Sequence, residues 1–396
     1  MIPFLRMRKI SFLKPQQKNK TCVVSKKKVK SVVIKLLIAL NFLAVCCLLL
    51  SYTAGYISPS RYWIFAFFGL AYPVFIFINL IFIILWLILW KRMVFLSLIT
   101  VFAAWNQITS LLPLHFSNPK PPKAVSVKII SYNVHSLYGY VKSQSVPETR
   151  SKVTEFLTNQ QPDIICIQEF FAMGENFNKT VSRFTRAIHL NNYFFKNYRE
   201  FWDKEKINAI ATFSKFPIVR SGSIGFPDKS IFAIFTDLMI DQDTVRVYNL
   251  HLEPIRFGDD DYSFYSKLTD AEANTPRIKD GSKKMAWKLK RAFIQRSRQV
   301  DMLVGHLNLC PYPLIICGDF NDTPSSYTYH RLTSRWNDAF KKAGREFLGS
   351  TYAGKLPSFR IDYILYGDYF SATHYQKFNI DLSDHYPITA TLFIKP

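Results

Sequence analysis

The chain is long enough to bury a substantial core, and its charge is distributed unevenly. It has 396 residues with 14 Gly and 6 Cys, which excludes collagen-like, disordered and disulfide-scaffold classes. Lys and Arg number 51 against 28 Asp and Glu, giving a formal net charge of +23. Sixteen of the basic residues precede position 124, and the first acidic residue is Glu148. The rest of the chain is only mildly basic, which argues against a protein that wraps nucleic acid over its whole surface.

Three apolar stretches lie in the N-terminal third, at about 31–56, 62–90 and 93–116. A bilayer-spanning helix needs about 20 predominantly apolar residues, and each stretch meets that length. The second contains no charged side chain, so burial in a soluble core is a poor explanation for it. The pattern predicts a transmembrane region of about three helices over 31–116.

The distribution of basic residues predicts how this region is oriented. Ten Lys and Arg in residues 1–30 form a basic tail, and Lys91 with Arg92 separates the second stretch from the third. Positive residues stay on the cytoplasmic side, so three crossings would place everything after the proline-containing linker 117–123 outside the cytoplasm. We expect an integral plasma (inner) membrane protein with a cytoplasmic N-terminus and contact with the lipid bilayer. A mitochondrial presequence is the alternative.

Residues 124–396 alternate short β-branched runs with helical patterns and predict one α/β domain rich in sheet. Helices are predicted over 147–159 and 283–307. The polar segment 254–282 is too long for an ordinary connection, so it is either a surface loop beside the active site or an insertion without function. The predicted strands are 125–132, 163–168, 209–213, 231–240, 244–250, 314–317, 361–365 and 388–394.

Polar side chains cluster at the ends of these predicted strands, where α/β folds usually carry their chemistry. Each residue alone is weak evidence for a functional site, because a single Glu or His after a strand is usually a cap or a structural residue. Six such clusters in one domain are difficult to explain as caps and predict a shared site. They contain Asn133 and His135; Gln168 and Glu169; Asn249 and His251; Asp319, Asn321 and Asp322; Arg360 and Asp362; and Ser383, Asp384 and His385.

On these residues the chain resembles the endonuclease/exonuclease/phosphatase superfamily, which has the deoxyribonuclease I-like fold. The specific markers, in the expected order over about 125–395, are Asn133, Gln168–Glu169, Gly318–Asp319–Phe320–Asn321, Asp362 and Ser383–Asp384–His385. The resemblance implies a four-layer α/β sandwich of two packed mixed β-sheets flanked by helices. It also implies metal-dependent hydrolysis of a phosphoester. Together with the predicted transmembrane region, this gives a membrane-anchored phosphodiester hydrolase, with an endonuclease as one form of that activity.

The metal that these side chains favour is Mg²⁺, with Mn²⁺ or Ca²⁺ as alternatives. Magnesium takes oxygen ligands and keeps several waters, so Glu169 with Asn133 and Asp384 beside it would suffice. Zinc is disfavoured because no cluster of His and Cys has the spacing of a zinc site.

The resemblance also implies the catalytic set. His385 would pair with Asp362, which orients the imidazole and stabilises its charged form. His251 would contribute a hydrogen bond or a proton to the phosphate. Asp319 and Asn321 would orient the attacking water and hold a phosphoryl oxygen. Which residue is the general base stays open.

Several other polar residues are weaker candidates. Arg291, Arg296 and Arg298 are expected on a solvated helical face. Asn208 lies where the family often has a polar residue near the site, and a role there is as plausible as none. His135 has no family counterpart, and Asp322 and Asp338 are expected to be loop or capping residues.

The sequence leaves the substrate open between nucleic acid and phospholipid, and a catalytically inactive membrane scaffold is a third hypothesis. A nucleic-acid enzyme needs basic residues around the site, for which the candidates are Lys196, Arg199, Lys204, Lys206, Arg256 and Lys267. A lipid phosphodiesterase or phosphatase, of sphingomyelinase or phosphoinositide type, needs exposed apolar loop residues. The candidates for those are Phe194, Phe195, Phe201, Trp202, Phe257 and Phe264.

Overall fold

The computed structural model describes most of the chain, with gaps in the tail, the linker and several loops. The predicted linker 117–123 and residues 1–18 of the predicted tail lie outside the described residues, as do Arg199, Phe201, Trp202, Lys204 and Lys267 among the rim candidates. The described residues are 19–103, 105–113, 125–137, 145–173, 177–198, 206–226, 231–258, 260–264, 275–354 and 358–395.

Six helices form the N-terminal region. One segment, Val29–Thr53, is long and apolar enough to span a membrane as a single helix. The next two helical pairs are bent by 60° and 68°. By length and composition the described region therefore has one clear candidate span, not the predicted three, and up to three only if each bent pair counts as one span. The first bend lies just before Pro73. A proline has no N–H to continue the hydrogen bonds of the preceding helix, and its ring clashes with the carbonyl four residues earlier. The helices are α1 (Asn19–Thr53), α2 (Pro59–Tyr62), α3 (Ile64–Leu70), α4 (Tyr72–Ile88), α5 (Val94–Ala103) and α6 (Trp105–Leu111).

Buried polar side chains connect these helices to one another. The Trp86 Nε1–H donates to Asn41 Oδ1 at 2.8 Å, and Asn41 Nδ2 donates to Ser97 Oγ at 2.6 Å. Asn79 Nδ2 donates to the Ala44 carbonyl at 3.1 Å. Buried side-chain hydrogen bonds of this kind hold apolar helices together. The segment is therefore a packed bundle.

The described residues after 124 form two six-stranded mixed sheets with helices around them. All eight predicted strands are present. The first sheet has the order β11-β12-β1-β2-β4-β3 and the second β5-β6-β7-β8-β10-β9. Only β1–β2 and β7–β8 are parallel among the described pairs. The strands are β1 (Ser126–Asn133), β2 (Ile164–Met173), β3 (Asn192–Asn197), β4 (Lys206–Ser214), β5 (Ile218–Gly225), β6 (Ile231–Ile240), β7 (Asp243–His251), β8 (Leu314–Asp319), β9 (Asn337–Asp338), β10 (Asp362–Tyr366), β11 (Phe370–Lys377) and β12 (Ile388–Ile394).

Four layers follow from three separate apolar cores. The sheets pack face to face through an inner core that includes Ile129, Val247 and Ile364. One outer core joins the first sheet to α7 (Val146–Gln160) and α8 (Phe177–Ile188), and the other joins the second sheet to α9 (Thr275–Asn308) and α10 (Tyr327–Thr333). A short helix, α11 (Ala339–Ala343), covers one end of the inner core. The predicted sandwich of two mixed sheets with flanking helices is confirmed.

The N-terminal helices contact the sandwich at one end of their bundle. Tyr56, just after α1, lies 4.1 Å from the His330 ring, and Phe67 of α3 lies 5.4 Å from Phe293 of α9, measured between ring centroids. Gly69 permits a close approach to the sandwich, because a Cβ there would lie 3.1 Å from the Ser325 carbonyl oxygen, as well as 2.7 Å from the Ala54 Cβ.

A buried arginine makes the third contact with the helices. Arg360 pairs with Asp338 at 2.8 Å, and its Nη2 donates to the Ser110 carbonyl of α6 at 2.9 Å. Both side chains of the ion pair are 1% exposed, so neither charge is solvated by water. The guanidinium therefore ties the end of the helical bundle to the sandwich through groups that depend on each other.

We predict that Asp338→Ala strongly destabilises the chain, because it leaves the Arg360 guanidinium buried without its carboxylate. Removing one partner of a buried ion pair costs about 3–5 kcal/mol, which should lower the thermal midpoint by roughly 6 °C or more. Thermal unfolding of the full chain in detergent measures this shift. The exposed Arg331–Asp301 pair is the control, and Asp301→Ala should cost at most about 1 kcal/mol. Equal effects of the two substitutions would contradict the prediction.

Candidate active site

The polar strand ends meet at one edge of the sandwich, as the sequence predicts. In the sheet registers Asn133 is paired with Gln168, and Asp319 is paired with both His251 and Asp362. Gly318 has a φ of 139°, and a Cβ there would lie 2.1 Å from the Leu250 carbonyl oxygen, so only glycine allows this close pairing. The structure brings all eight predicted site residues together around a cavity of about 420 Å³: Asn133, Glu169, His251, Asp319, Asn321, Asp384 and His385 line it, and Asp362 lies behind His385.

His385 lies between two buried carboxylates. Its Nδ1 is 2.9 Å from Asp362 Oδ2, and its Nε2 is 3.7 Å from Asp319 Oδ2. Burial lowers the pKa of His385, but the Asp362 and Asp319 charges raise it, and the outcome is a pKa well above the ordinary value. The side chain is therefore an imidazolium whose charge is balanced by its neighbours.

Asp319 is the centre of the hydrogen-bond network. Its carboxylate accepts from the Asn321 backbone N–H at 2.8 Å, from Asn321 Nδ2 at 3.1 Å and from Asn133 Nδ2 at 3.0 Å. His251 Nε2 lies 3.7 Å from Asp319 Oδ2. Burial, together with the Asp362 charge, raises the pKa of Asp319 to about 6 despite the nearby histidines. A carboxylate that gains and loses a proton near neutral pH suits proton transfer.

Glu169 is aimed into the cavity by an irregularity in β2. The β2–β4 register shifts between Ile167 and Phe170, and Glu169 has a φ of 55° in the left-handed region. Its backbone N–H donates to the Tyr198 hydroxyl at 2.9 Å, which holds this strained conformation. Burial raises the pKa of Glu169, but the charges of nearby histidines, chiefly His251, lower it below the ordinary value. Glu169 is therefore ionised.

Glu169 and Asp384 are the side chains best suited to hold a divalent metal ion. Glu169 Oε2 accepts from Ser136 Oγ at 3.2 Å, and Asp384 Oδ1 lies 3.2 Å from His135 Nδ1. Both carboxylates line the cavity and offer the hard oxygen ligands that magnesium prefers. The predicted oxygen donor set fits such an ion.

Asn133 contacts these groups differently from the prediction. Its Nδ2 points to Asp319 at 3.0 Å and to Glu169 at 3.5 Å, while its Oδ1 accepts from the His135 backbone N–H. The amide therefore holds the two carboxylates in place through its nitrogen. Contact with a metal ion through Oδ1 stays a prediction.

A second group of potential metal ligands consists of Asp319, Asp362 and His385, whose ligand atoms lie within 4.8 Å of one another. Both ring nitrogens of His385 already face carboxylates. This group therefore suits hydrogen bonding to a phosphate better than metal binding.

One residue that builds the site, Tyr198, was not predicted, and two others, Asn208 and His135, were named without an assigned role. Tyr198 contacts Glu169 and lies 5.1 Å from the His251 ring, yet nothing in its sequence context distinguished it. Asn208 Nδ2 donates to Ser136 Oγ at 3.2 Å, so it supports Glu169 indirectly. His135, which had been set aside, lines the cavity and belongs to a run of left-handed residues with φ values of 45–58°.

One expectation about the long helix is wrong. Arg296 is buried, pairs with Asp322 at 3.2 Å and donates to the Glu253 carbonyl at 3.0 Å. Asp322 is therefore an ion-pair partner for a buried charge, whereas Arg291 and Arg298 are exposed as expected. Helical periodicity alone could not separate these arginines, because the strand-end loop that supplies Asp322 is distant in sequence.

The segment 254–264 lies beside the site, as one of the two sequence interpretations states. Ile255, Arg256, Phe257 and Tyr262 all line the cavity. Residues 265–274 of the predicted loop lie outside the described part of the chain, and α9 already begins at residue 275. Of the rim candidates, Arg256 and Phe257 border the cavity, so one basic and one apolar candidate are supported.

Two family models match different parts of the chain. The Endonuclease/Exonuclease/phosphatase family matches residues 130–385, and a domain of unknown function, DUF8431, matches residues 34–111. No curated protein matches this chain.

Three solved structures illustrate what the chain is similar to. The human nocturnin catalytic domain is 18% identical, with a TM-score of 0.47 over 71% of this chain and 97% of its own. A mannosyl-6-phosphatase from Bacteroides thetaiotaomicron is 17% identical, with a TM-score of 0.46 over 68% and 100%. An endonuclease/exonuclease/phosphatase from Beutenbergia cavernae is 13% identical, with a TM-score of 0.49 over 68% and 72%.

We predict that His385 stays protonated above pH 7 in the wild type. In the Asp362→Asn variant we expect His385 to be neutral at that pH. Without the Asp362 charge, burial dominates and the pKa of His385 should fall toward or below about 6.5. Nitrogen NMR of the histidine-labelled full chain follows both ring nitrogens across the pH range. Asp301→Asn, which changes an exposed carboxylate, should leave the His385 signals as they are. A neutral His385 ring at pH 7 in the wild type would refute the assignment.

Proposed function

Because the chain belongs to the endonuclease/exonuclease/phosphatase family, we propose that it is a membrane-anchored, divalent-metal-dependent hydrolase of phosphoester bonds. The observation that carries the proposal is the cavity in which the His385 imidazolium and the Asp319 carboxylate face Glu169. It combines a proton acceptor, a cationic donor and an anionic metal ligand within one site. These are the groups that displacement at a phosphorus atom requires.

Glu169 and Asp384 would hold Mg²⁺, or Mn²⁺ or Ca²⁺ in its place, with Asn133 against the Glu169 carboxylate. When bound, such an ion offsets the negative charge that develops on the phosphoryl oxygens. The carboxylate of Glu169 is ionised before any metal arrives, because nearby histidines lower its pKa. Metal binding at Glu169 therefore does not have to displace a proton there.

The catalytic side chains divide the remaining work. Asp319, with a pKa of about 6, accepts a proton from the attacking water, and Asn321 holds the Asp319 carboxylate in position. His385 donates a hydrogen bond to a phosphoryl oxygen, with Asp362 fixing the orientation of its ring. His251 lies 3.7 Å from both Glu169 and Asp319 and donates to a second oxygen. A catalytically inactive scaffold is disfavoured, because all eight side chains are in place.

The arrangement of the N-terminal helices supports three crossings, two of them by broken helices. On α4, Trp86 contacts Asn41 of α1 and the earlier Asn79 contacts the later Ala44, so these helices run in opposite directions. The contacts with the sandwich come from the other end of the bundle. The basic tail and Lys91 with Arg92 would then lie on the cytoplasmic side and the catalytic domain outside the cytoplasm.

The proposed activity predicts that Glu169→Gln and His385→Ala each lower kcat/KM by about 100-fold or more, because each removes a charge used at the phosphorus centre. The assay is hydrolysis of bis-para-nitrophenyl phosphate by the full chain in detergent with Mg²⁺. A chelator should abolish turnover and added Mg²⁺ should restore it. Glu148→Gln, at an exposed residue on α7, is the control. Full activity in either site variant would refute the assignment.

The proposed topology predicts that the C-terminus is outside the cytoplasm. A C-terminal fusion of the full chain should therefore show alkaline phosphatase activity, because that reporter folds only in an oxidising compartment. A fusion after Arg92 should be inactive, since two crossings return the chain to the cytoplasm. The reverse pattern would reject three crossings with a cytoplasmic tail.

A further inference from the structure

The cavity at the active site has a second half that phosphoester chemistry does not require. Beyond the carboxylates and histidines, Arg256, Arg296 and Thr323 line part of the cavity, and apolar side chains from three parts of the chain form a continuous stretch of its wall. The catalytic groups act on a phosphate, which is small and charged, so this wall is free to contact the rest of the substrate. The wall, referred to below as the apolar wall, consists of Leu70, Ile255, Phe257, Met285, Leu289 and Phe293.

One face of α9 forms half of the apolar wall. Met285, Leu289 and Phe293 recur every four residues, so they form one stripe along the helix. Met285 and Leu289 are only partly buried, because the cavity leaves them uncovered. Arg296 continues the stripe toward the catalytic end, but Asp322 neutralises it. The stripe therefore offers an apolar surface and no unpaired charge for a second phosphate.

Leu70 links the apolar wall to the apolar N-terminal helices. It is the last residue of α3, and α4 begins two residues later at Tyr72. Phe67, one turn earlier, packs edge-to-face against Phe293 at 5.4 Å. The wall is thus continuous with the bent α3–α4 pair, which is apolar and long enough to count as one membrane span. In the proposed topology this places the cavity at the level of the lipid headgroups.

The surface next to the apolar wall has the composition of a membrane interface. Trp287 on α9 is 59% exposed, Tyr62 is 52% exposed and Trp63 is 37% exposed. Lys290 Nζ lies 4.5 Å from the centre of the Trp63 ring. Trp and Tyr prefer the headgroup region, and Lys beside them attracts anionic lipids. The same helix therefore faces the cavity with one side and carries interfacial residues on another.

Resting on the proposed hydrolase function, we propose that the substrate is a membrane phospholipid. Its phosphate enters the catalytic half of the cavity, and its acyl chains lie along the apolar wall toward α4. In the reaction the water oxygen bonds to phosphorus, the bond from phosphorus to one ester oxygen breaks with its electron pair, and the proton from water ends on the leaving oxygen. A nucleic-acid strand would instead place charged phosphates against Met285 and Leu289, which offer no donor.

The test compares two substrates that differ only in their acyl chains. Full-length protein in detergent micelles is given phosphatidylglycerol with two 14-carbon chains, or glycerophosphoglycerol, the same headgroup without chains. Bis-para-nitrophenyl phosphate and single-stranded DNA are assayed in parallel. We expect kcat/KM for the acylated lipid to exceed that for the headgroup by about 10-fold or more, because buried methylenes add binding energy.

A variant of the apolar wall separates this preference from partitioning into micelles. Leu289→Gln keeps the size of the side chain but makes the wall polar, and should lower the ratio of lipid to headgroup kcat/KM by about 10-fold. Leu289→Met, which preserves an apolar surface, should keep most of the ratio. Met302→Gln changes an exposed apolar residue on the same helix, away from the cavity, and should leave the ratio unchanged.

The outcomes distinguish this inference from the function on which it rests. Equal rates for lipid and headgroup, a ratio unaffected by Leu289→Gln, or preferential cleavage of DNA would overturn the lipid inference while the small diester is still hydrolysed. No hydrolysis of any of the four substrates with Mg²⁺ present would overturn the hydrolase proposal itself. Selective lipid cleavage that Leu289→Gln reduces and Met302→Gln does not would support both.

Discussion

The site depends on keeping charges buried and compensated at the edge where the two sheets meet. An unpaired charge cannot remain in such a place, so each ionised group needs a partner across the gap. Asp362 on the second sheet contacts His385, which precedes β12 of the first sheet. Asn133 at the end of β1 donates to Asp319 at the end of β8. The catalytic contacts are therefore also the contacts that align the sheets, and the geometry of the site follows from the packing of the fold.

A similar principle joins the N-terminal helices to the sandwich. Arg360 is buried between Asp338 and the Ser110 carbonyl, while Gly69 and Tyr56 make close contacts nearby. Because these contacts come from separate parts of the helical bundle, they restrain both the rotation of the bundle against the sandwich and its separation from it. The cavity therefore keeps a defined orientation toward α3 and α4, and Leu70 can form part of its wall. A flexible tether would not place an apolar helix end beside catalytic carboxylates.

Much of this architecture could be predicted, with instructive exceptions. The predicted strands are all present because β-branched runs report directly on buried sheet. Strands β3, β5, β9 and β11 were missed. The sequences of β3, β5 and β11 mix polar residues with apolar or aromatic ones without a clear alternation, and β9 has only two residues. The bends after α3 and α5 were missed because hydropathy measures apolar length and not direction. Arg296 looked like a surface residue, and Tyr198 had no distinguishing context, because the partners of both lie far away in sequence.

The sequence by itself determined the division of the chain into apolar helices and an α/β domain, the strand ends that carry polar residues, and the family motifs. These properties are local, since each depends on residue types and spacing within one element. Only the tertiary structure decided that the amide nitrogen of Asn133 faces Asp319, that His385 is held between two carboxylates, and that Leu70 reaches the cavity. Those properties depend on contacts between residues more than 20 positions apart, where burial and charge pairing, not local propensity, set the energy.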